Sequence, residues 1–148
     1  MTHQKSTEAV RSLSEDLGPL YSAGDVAMLL SEPHRAINDM LDHVIKMTEA
    51  NELVMIVDPQ DSNKWYYPKF QFSSDTANGM LWIHSMPYVK NVAEVLRPAL
   101  DRIGIAAWLN STSDASCHTR AERLWGDKAD VESVLEEARR TADELRQQ

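Results

Sequence analysis

A chain of 148 residues with 43% apolar and 26% charged side chains has globular composition and the length of one ordinary domain or two small ones. Its net charge of −8 excludes a surface broadly suited to nucleic acid, because phosphate binding needs clustered Lys and Arg; such a charge suits a basic protein partner, or solubility alone. No apolar run exceeds five residues, as at Ile105 to Leu109, which excludes a bilayer-spanning helix. The opening stretch MTHQKSTEAV holds no apolar h-region and the lone Cys117 cannot form an internal disulfide, so a cytoplasmic location is expected. The acidity is uneven: residues 1–52 carry nine acids and four bases, and residues 101–148 ten acids and seven bases.

Residues 1–19 are polar, with a helical period through Val10, Leu13 and Leu17 that Gly18-Pro19 stops. Ser22 is an N-cap with Asp25 three residues on, close to a capping box, and Val26, Leu29 and Leu30 give a short helix one apolar stripe. Ser31-Glu32-Pro33 reads as a turn, with Pro33 at the first position of a second helix. Ile37, Met40, Leu41, Val44, Ile45 and Met47 carry that helix to about Ala50 at spacings of three and four. The period then changes. ELVMIVD, PQDSN and KWYYP read as strand, turn and strand, a β-hairpin that ends at Pro68. Helix, turn, helix, hairpin is the order of a winged helix-turn-helix unit, here residues 20–72.

SSDTANG, residues 73–79, reads as a loop. A helical segment, residues 80–148, follows. Pro87 to Leu100 turns Val89, Val92, Val95, Leu96 and Leu100 inward, and Ile103 to Leu109 is apolar almost all round, a buried helix. NSTSDASCH is a loop. Ala121 to Trp125 is a short helix closed by Gly126. The last helix starts near an Asp130 cap and lines up Val131, Val134, Leu135, Ala138, Ala142 and Leu145, with Glu132, Glu136 and Glu137 on a solvated face. The fold class expected is therefore mainly α with a small β-hairpin: a winged helix-turn-helix-like N-terminal part and a helical C-terminal part.

WYYPKFQF, residues 65–72, holds five of the ten aromatic residues. A base-stacking platform needs basic neighbours, and only Lys64 and Lys69 are near. The rings read instead as an internal seam between the winged unit and the helices after residue 86. On the second helix of the winged unit, His34, Arg35, Asn38 and Lys46 are the candidate DNA contacts. Glu32, Asp39 and Asp42 oppose them, so weak DNA binding is expected. The five histidines are scattered, and neither H-x-x-x-H nor C-x-x-C occurs, so no metal site or cofactor is expected. With no Gly-rich phosphate loop and no G-x-S-x-G elbow, the chain reads as a binding protein rather than an enzyme.

WLNSTSDASCHTRAERLWGDKADVESVLEEA, residues 108–138, resembles the toxin-binding domain of the Xre/MbcA/ParS antitoxins. Trp108, Leu109, Asn110 and Ser111 match its first part, Thr119, Glu122 and Leu124 its middle, and Val131, Val134 and Leu135 its last helix. YYPKFQF is similar to a Tyr-Pro-x-Phe-Gln-Phe segment of relatives that put a helix-turn-helix before this domain. The resemblance implies a homodimeric antitoxin that covers the active site of a RES-domain or ADP-ribosyltransferase-like toxin and represses its own operon. It puts partner contact after Trp108, with Asn110, Ser111, Arg120, Arg123 and Trp125 as exposed candidates; Trp125 is a hot-spot residue type at a helix end, and the alternative for it is packing on Val131 and Leu135. Two other readings stay open: a winged helix-turn-helix transcriptional regulator, and an acidic phage-type protein that inhibits a host protein.

Overall fold

The computed structural model describes residues 8–30, 36–77, 79–113 and 116–147. They form seven α-helices and two small antiparallel sheets. Helix α1 (Glu8–Leu17) buries Val10 and Leu17 and ends at Gly18, whose φ of 82° only glycine adopts without strain. Strand β1 (Leu20–Ser22) leads into α2 (Ala23–Leu29). Ser22 caps α2 in a full capping box: its Oγ accepts from the Asp25 N–H, and the Asp25 carboxylate accepts from the Ser22 N–H, both at 3.1 Å. Helix α3 (Ile37–Glu49) starts later than expected, because Ala36 is still extended (ψ 149°); Pro33, His34 and Arg35 lie outside the described residues. Met40 and Val44 are buried on α3, but Ile45 of the expected stripe is exposed. The helix closes in a Schellman motif, with the Glu52 N–H bonded to Met47 O, the Asn51 N–H to Thr48 O, and Asn51 left-handed at φ 61°.

Strands β2 (Ile56–Asp58) and β3 (Asp61–Pro68) form the expected hairpin, and β3 does end at Pro68. Strand β1 pairs with the other edge of β3, giving a three-stranded sheet in the order β1-β3-β2. A single 3-10 turn (Lys69–Gln71) follows. The loop expected at 73–79 is instead β4 (Phe72–Ala77), paired with β5 (Met80–Ser85) around Gly79 at φ 75°. The helices α4 (Val89–Leu96), α5 (Arg102–Leu109), α6 (Arg120–Leu124) and α7 (Lys128–Arg146) complete the chain. Asp127, not Asp130, caps α7; Asp130 is the reciprocal third residue of that capping box.

Two apolar clusters fill the interior. One joins Leu17 of α1 and Met86 to the inner faces of α4, α5, α6 and α7. The other joins Val26, Met40, Val44 and Tyr67 within the N-terminal part. Residues 53–56 form the partition. All four are buried, and they alternate: Leu53 and Met55 enter the N-terminal cluster, Val54 and Ile56 the C-terminal one. That is the two-residue period of extended chain with both faces covered.

The seam is therefore LVMI rather than the aromatic stretch. Trp65, Tyr67 and Phe72 pack in the N-terminal cluster, and only Phe70 meets the other. Between them, Gln71 is fully buried; its amide accepts from Val54 N–H and donates to Val54 O, both at 2.8 Å, and donates to Pro68 O at 3.1 Å. A side-chain amide thus satisfies the backbone of the partition where no strand pairs with it. Buried Tyr67 is satisfied likewise: the Thr48 hydroxyl donates to Val44 O, so the Tyr67 hydroxyl donates to Thr48 Oγ1 at 2.7 Å.

Candidate partner-binding site

The C-terminal candidates are assembled by α5, the loop after it, α6 and α7. Trp108 lies at the buried end of α5 and donates its indole N–H to Thr141 Oγ1 of α7. The loop leaves α5 with the Ser111 hydroxyl donating to Trp108 O at 2.7 Å and returns through a Thr112–Thr119 bridge. Thr119 and Glu122 then form the capping box that starts α6. The Thr119 N–H and hydroxyl hold the Glu122 carboxyl below its ordinary range. One helical turn apart on α6, Arg120 and Arg123 point to the same side.

Both arginines converge on Glu137 of α7. Arg120 Nε lies 3.3 Å from Oε1, and the Arg123 guanidinium lies 2.6 Å from Oε2. Arg120 also stacks over Trp108, 4.4 Å from a ring centroid, and donates to Trp108 O and Ser111 Oγ. Arg123 reaches Ser133 Oγ at 2.7 Å and Ser113 Oγ at 3.4 Å. Burial pushes the Glu137 carboxyl up, but the Arg123 hydrogen bond and both guanidinium charges outweigh it, leaving the carboxyl below its usual range. The described ends of the loop, α6 and α7 are thus tied together. Beside the lock runs a polar groove of about 600 Å³, lined among others by Ser113, Ser116, Arg123, Ser133 and Arg140.

The structure brings Ser111, Arg120 and Arg123 together and separates the other two candidates. Expected on the surface, Arg120 and Arg123 have side chains only 14% and 10% exposed. Asn110 turns to α1, donating to Asp16 O at 3.2 Å. Trp125 is exposed, at 36%. Glu137, assigned to a solvated face, has a side chain only 12% exposed, whereas Glu132 and Glu136 do face solvent. The signal for Glu137 lay in the spacing: three residues after Val134 and four before Thr141, it shares the packed side of α7.

Of the candidate DNA contacts, Asn38 and Lys46 are exposed on α3 beside exposed Asp39, Asp42 and Glu49; His34 and Arg35 lie outside the described residues. Among the described residues no three His, Cys, Asp or Glu side chains gather where they could hold a metal ion, and no helix is long and apolar enough to cross a membrane. Set against protein families, curated proteins and solved structures, the chain matches none.

Proposed function

We propose that this chain is an antitoxin-like protein that binds and neutralises a protein toxin of the RES-domain or ADP-ribosyltransferase-like class. Its contact face is the 111–119 loop with α6 and the first turns of α7. The observation that carries the reading is Trp125: a large exposed ring follows directly on a short helix whose two arginines are immobilised by Glu137. A contact ring on a locked support loses little freedom on binding, which is the condition for a hot spot. The test is co-expression with a RES-domain toxin, read as growth. The intact chain restores growth. W125A does not, while its melting free energy stays within about 1 kcal/mol of the parent, as for a surface position. No rescue by the intact chain refutes the neutralising role; full rescue by folded W125A moves the site elsewhere, first to α3.

A second reading, a winged helix-turn-helix regulator of its own operon, draws on the order α1-β1-α2-α3-β2-β3 with the sheet arranged β1-β3-β2. In that reading α3 is the recognition helix and Asn38 and Lys46 are its contacts. Asp39, Asp42 and Glu49 on the same helix oppose phosphate, so the reading expects weak, strongly salt-sensitive binding by the chain alone. Gel shifts across a salt series measure it.

A further inference from the structure

A second pair of arginines sits where α3, α4 and α5 meet. Arg97 follows α4 and donates to Asn51 Oδ1 at 2.8 Å, the residue that closes α3. Arg102 opens α5 and is partly buried. The two flank one crevice walled by Leu53, Val54, Met55, Val89 and Ile105, the line where the two apolar clusters join. Among the described residues no carboxylate forms an ion pair with either guanidinium. The neighbouring acid, Asp101, instead caps α5 by accepting from the Gly104 N–H at 2.8 Å. Burial lowers the basicity of Arg102, and the like charge of Arg97 lowers it further. Exposed Arg97 and partly buried Arg102 thus border an apolar slot with no counter-charge among the described residues, in a chain of net charge −8.

A partly desolvated charge such as that of Arg102 carries a cost, and a guanidinium offsets it best with a forked anion. The room inside the slot is about 20 Å³, space for little more than one water-sized group. An anion's head is larger than that, so it would sit at the mouth of the slot with at most one oxygen inside. We propose that the mouth of the slot between Arg97 and Arg102 is a carboxylate-binding site, occupied by a small organic acid or by a partner's acidic side chain. Occupied, it ties the ends of α3, α4 and α5 together across the partition. This site is separate from the Trp125 face and stands or falls independently of the toxin-binding reading.

The test follows the arginine side-chain Nε–Hε signals of the full chain by NMR, titrating sodium acetate against sodium chloride at matched ionic strength. Acetate shifts Arg97 and Arg102 saturably and leaves the exposed, Glu136-paired Arg139 unmoved. R102Q, with an unchanged amide spectrum elsewhere, loses the saturable shift at Arg97. N-acetyl-glutamate amide saturating at or below the acetate concentration identifies a protein side chain as the natural source, and acetate acting alone identifies a small acid. Equal shifts in chloride, no shift in the intact chain, or saturation by inorganic phosphate at lower concentration than acetate each overturn the proposal.

Discussion

Two arginine pairs occupy the C-terminal half: Arg120 and Arg123 share Glu137, whereas Arg97 and Arg102 share no carboxylate among the described residues. The first pair is more enclosed, yet each cation has an anion, hydroxyl partners or an aromatic face. The second has one amide and apolar walls. The two pairs thus differ both in enclosure and in the partners the fold supplies. The built-in counter-charge is the telling difference: the cost of enclosing Arg120 and Arg123 is met inside the chain, whereas the proposed carboxylate site would leave partly buried Arg102 to an outside group.

The largest effect expected from breaking the contrast is E137A. It leaves two enclosed guanidiniums facing each other without an anion, and should lower stability by about 2–4 kcal/mol in urea unfolding, as when one member of a buried ion pair is removed. R120K comes next. A lysine keeps the charge but loses the fork to Glu137, Ser111 and Trp108 O and the flat stacking on the indole, for about 1–2 kcal/mol. The pH dependence is smaller and has a definite sign. Because the folded Glu137 carboxyl sits below its ordinary value of 4.5, its contribution is present above that value and is lost as pH falls through the folded pKa. Between about pH 6 and about pH 3 the parent should therefore lose more stability than E137Q, whose amide does not titrate. An identical acid limb for the two would show that the pair does not hold the fold.

Much of this architecture could be read from local pattern. The Ser22 capping box, the first hairpin ending at Pro68, the buried Trp108 and the short helix before Gly126 all follow from residues within a few positions of each other. Strand β1 was not legible, because three residues directly before a helix carry no period of their own. The second hairpin was signalled by Asn78-Gly79, a strong hairpin dipeptide, but the polar run SSDT before it conceals the alternation. The partition at 53–56 looks like any short apolar strand; only the packed structure shows that its two faces serve two clusters. The Glu137 lock joins residues 14 and 17 positions apart, beyond what single-helix spacing reveals, although its place among Val134, Ala138 and Thr141 marked it as inward. The Arg97–Arg102 slot depends on three element ends meeting, which no local pattern encodes.

The contrast is tested most directly by making one substitution at both places. Arginine to methionine keeps the stem and removes the charge. R120M strands Glu137 with one partner fewer and uncovers Trp108, so thermal and urea unfolding should show a loss of about 1–3 kcal/mol. R102M removes a cation that has no anion and extends an apolar wall, so stability measured in chloride buffer should stay level or rise by up to about 1 kcal/mol. Opposite responses are the result this account predicts. An equal loss at both positions would contradict it, because Arg102 would then be satisfied within the fold in the same way as Arg120.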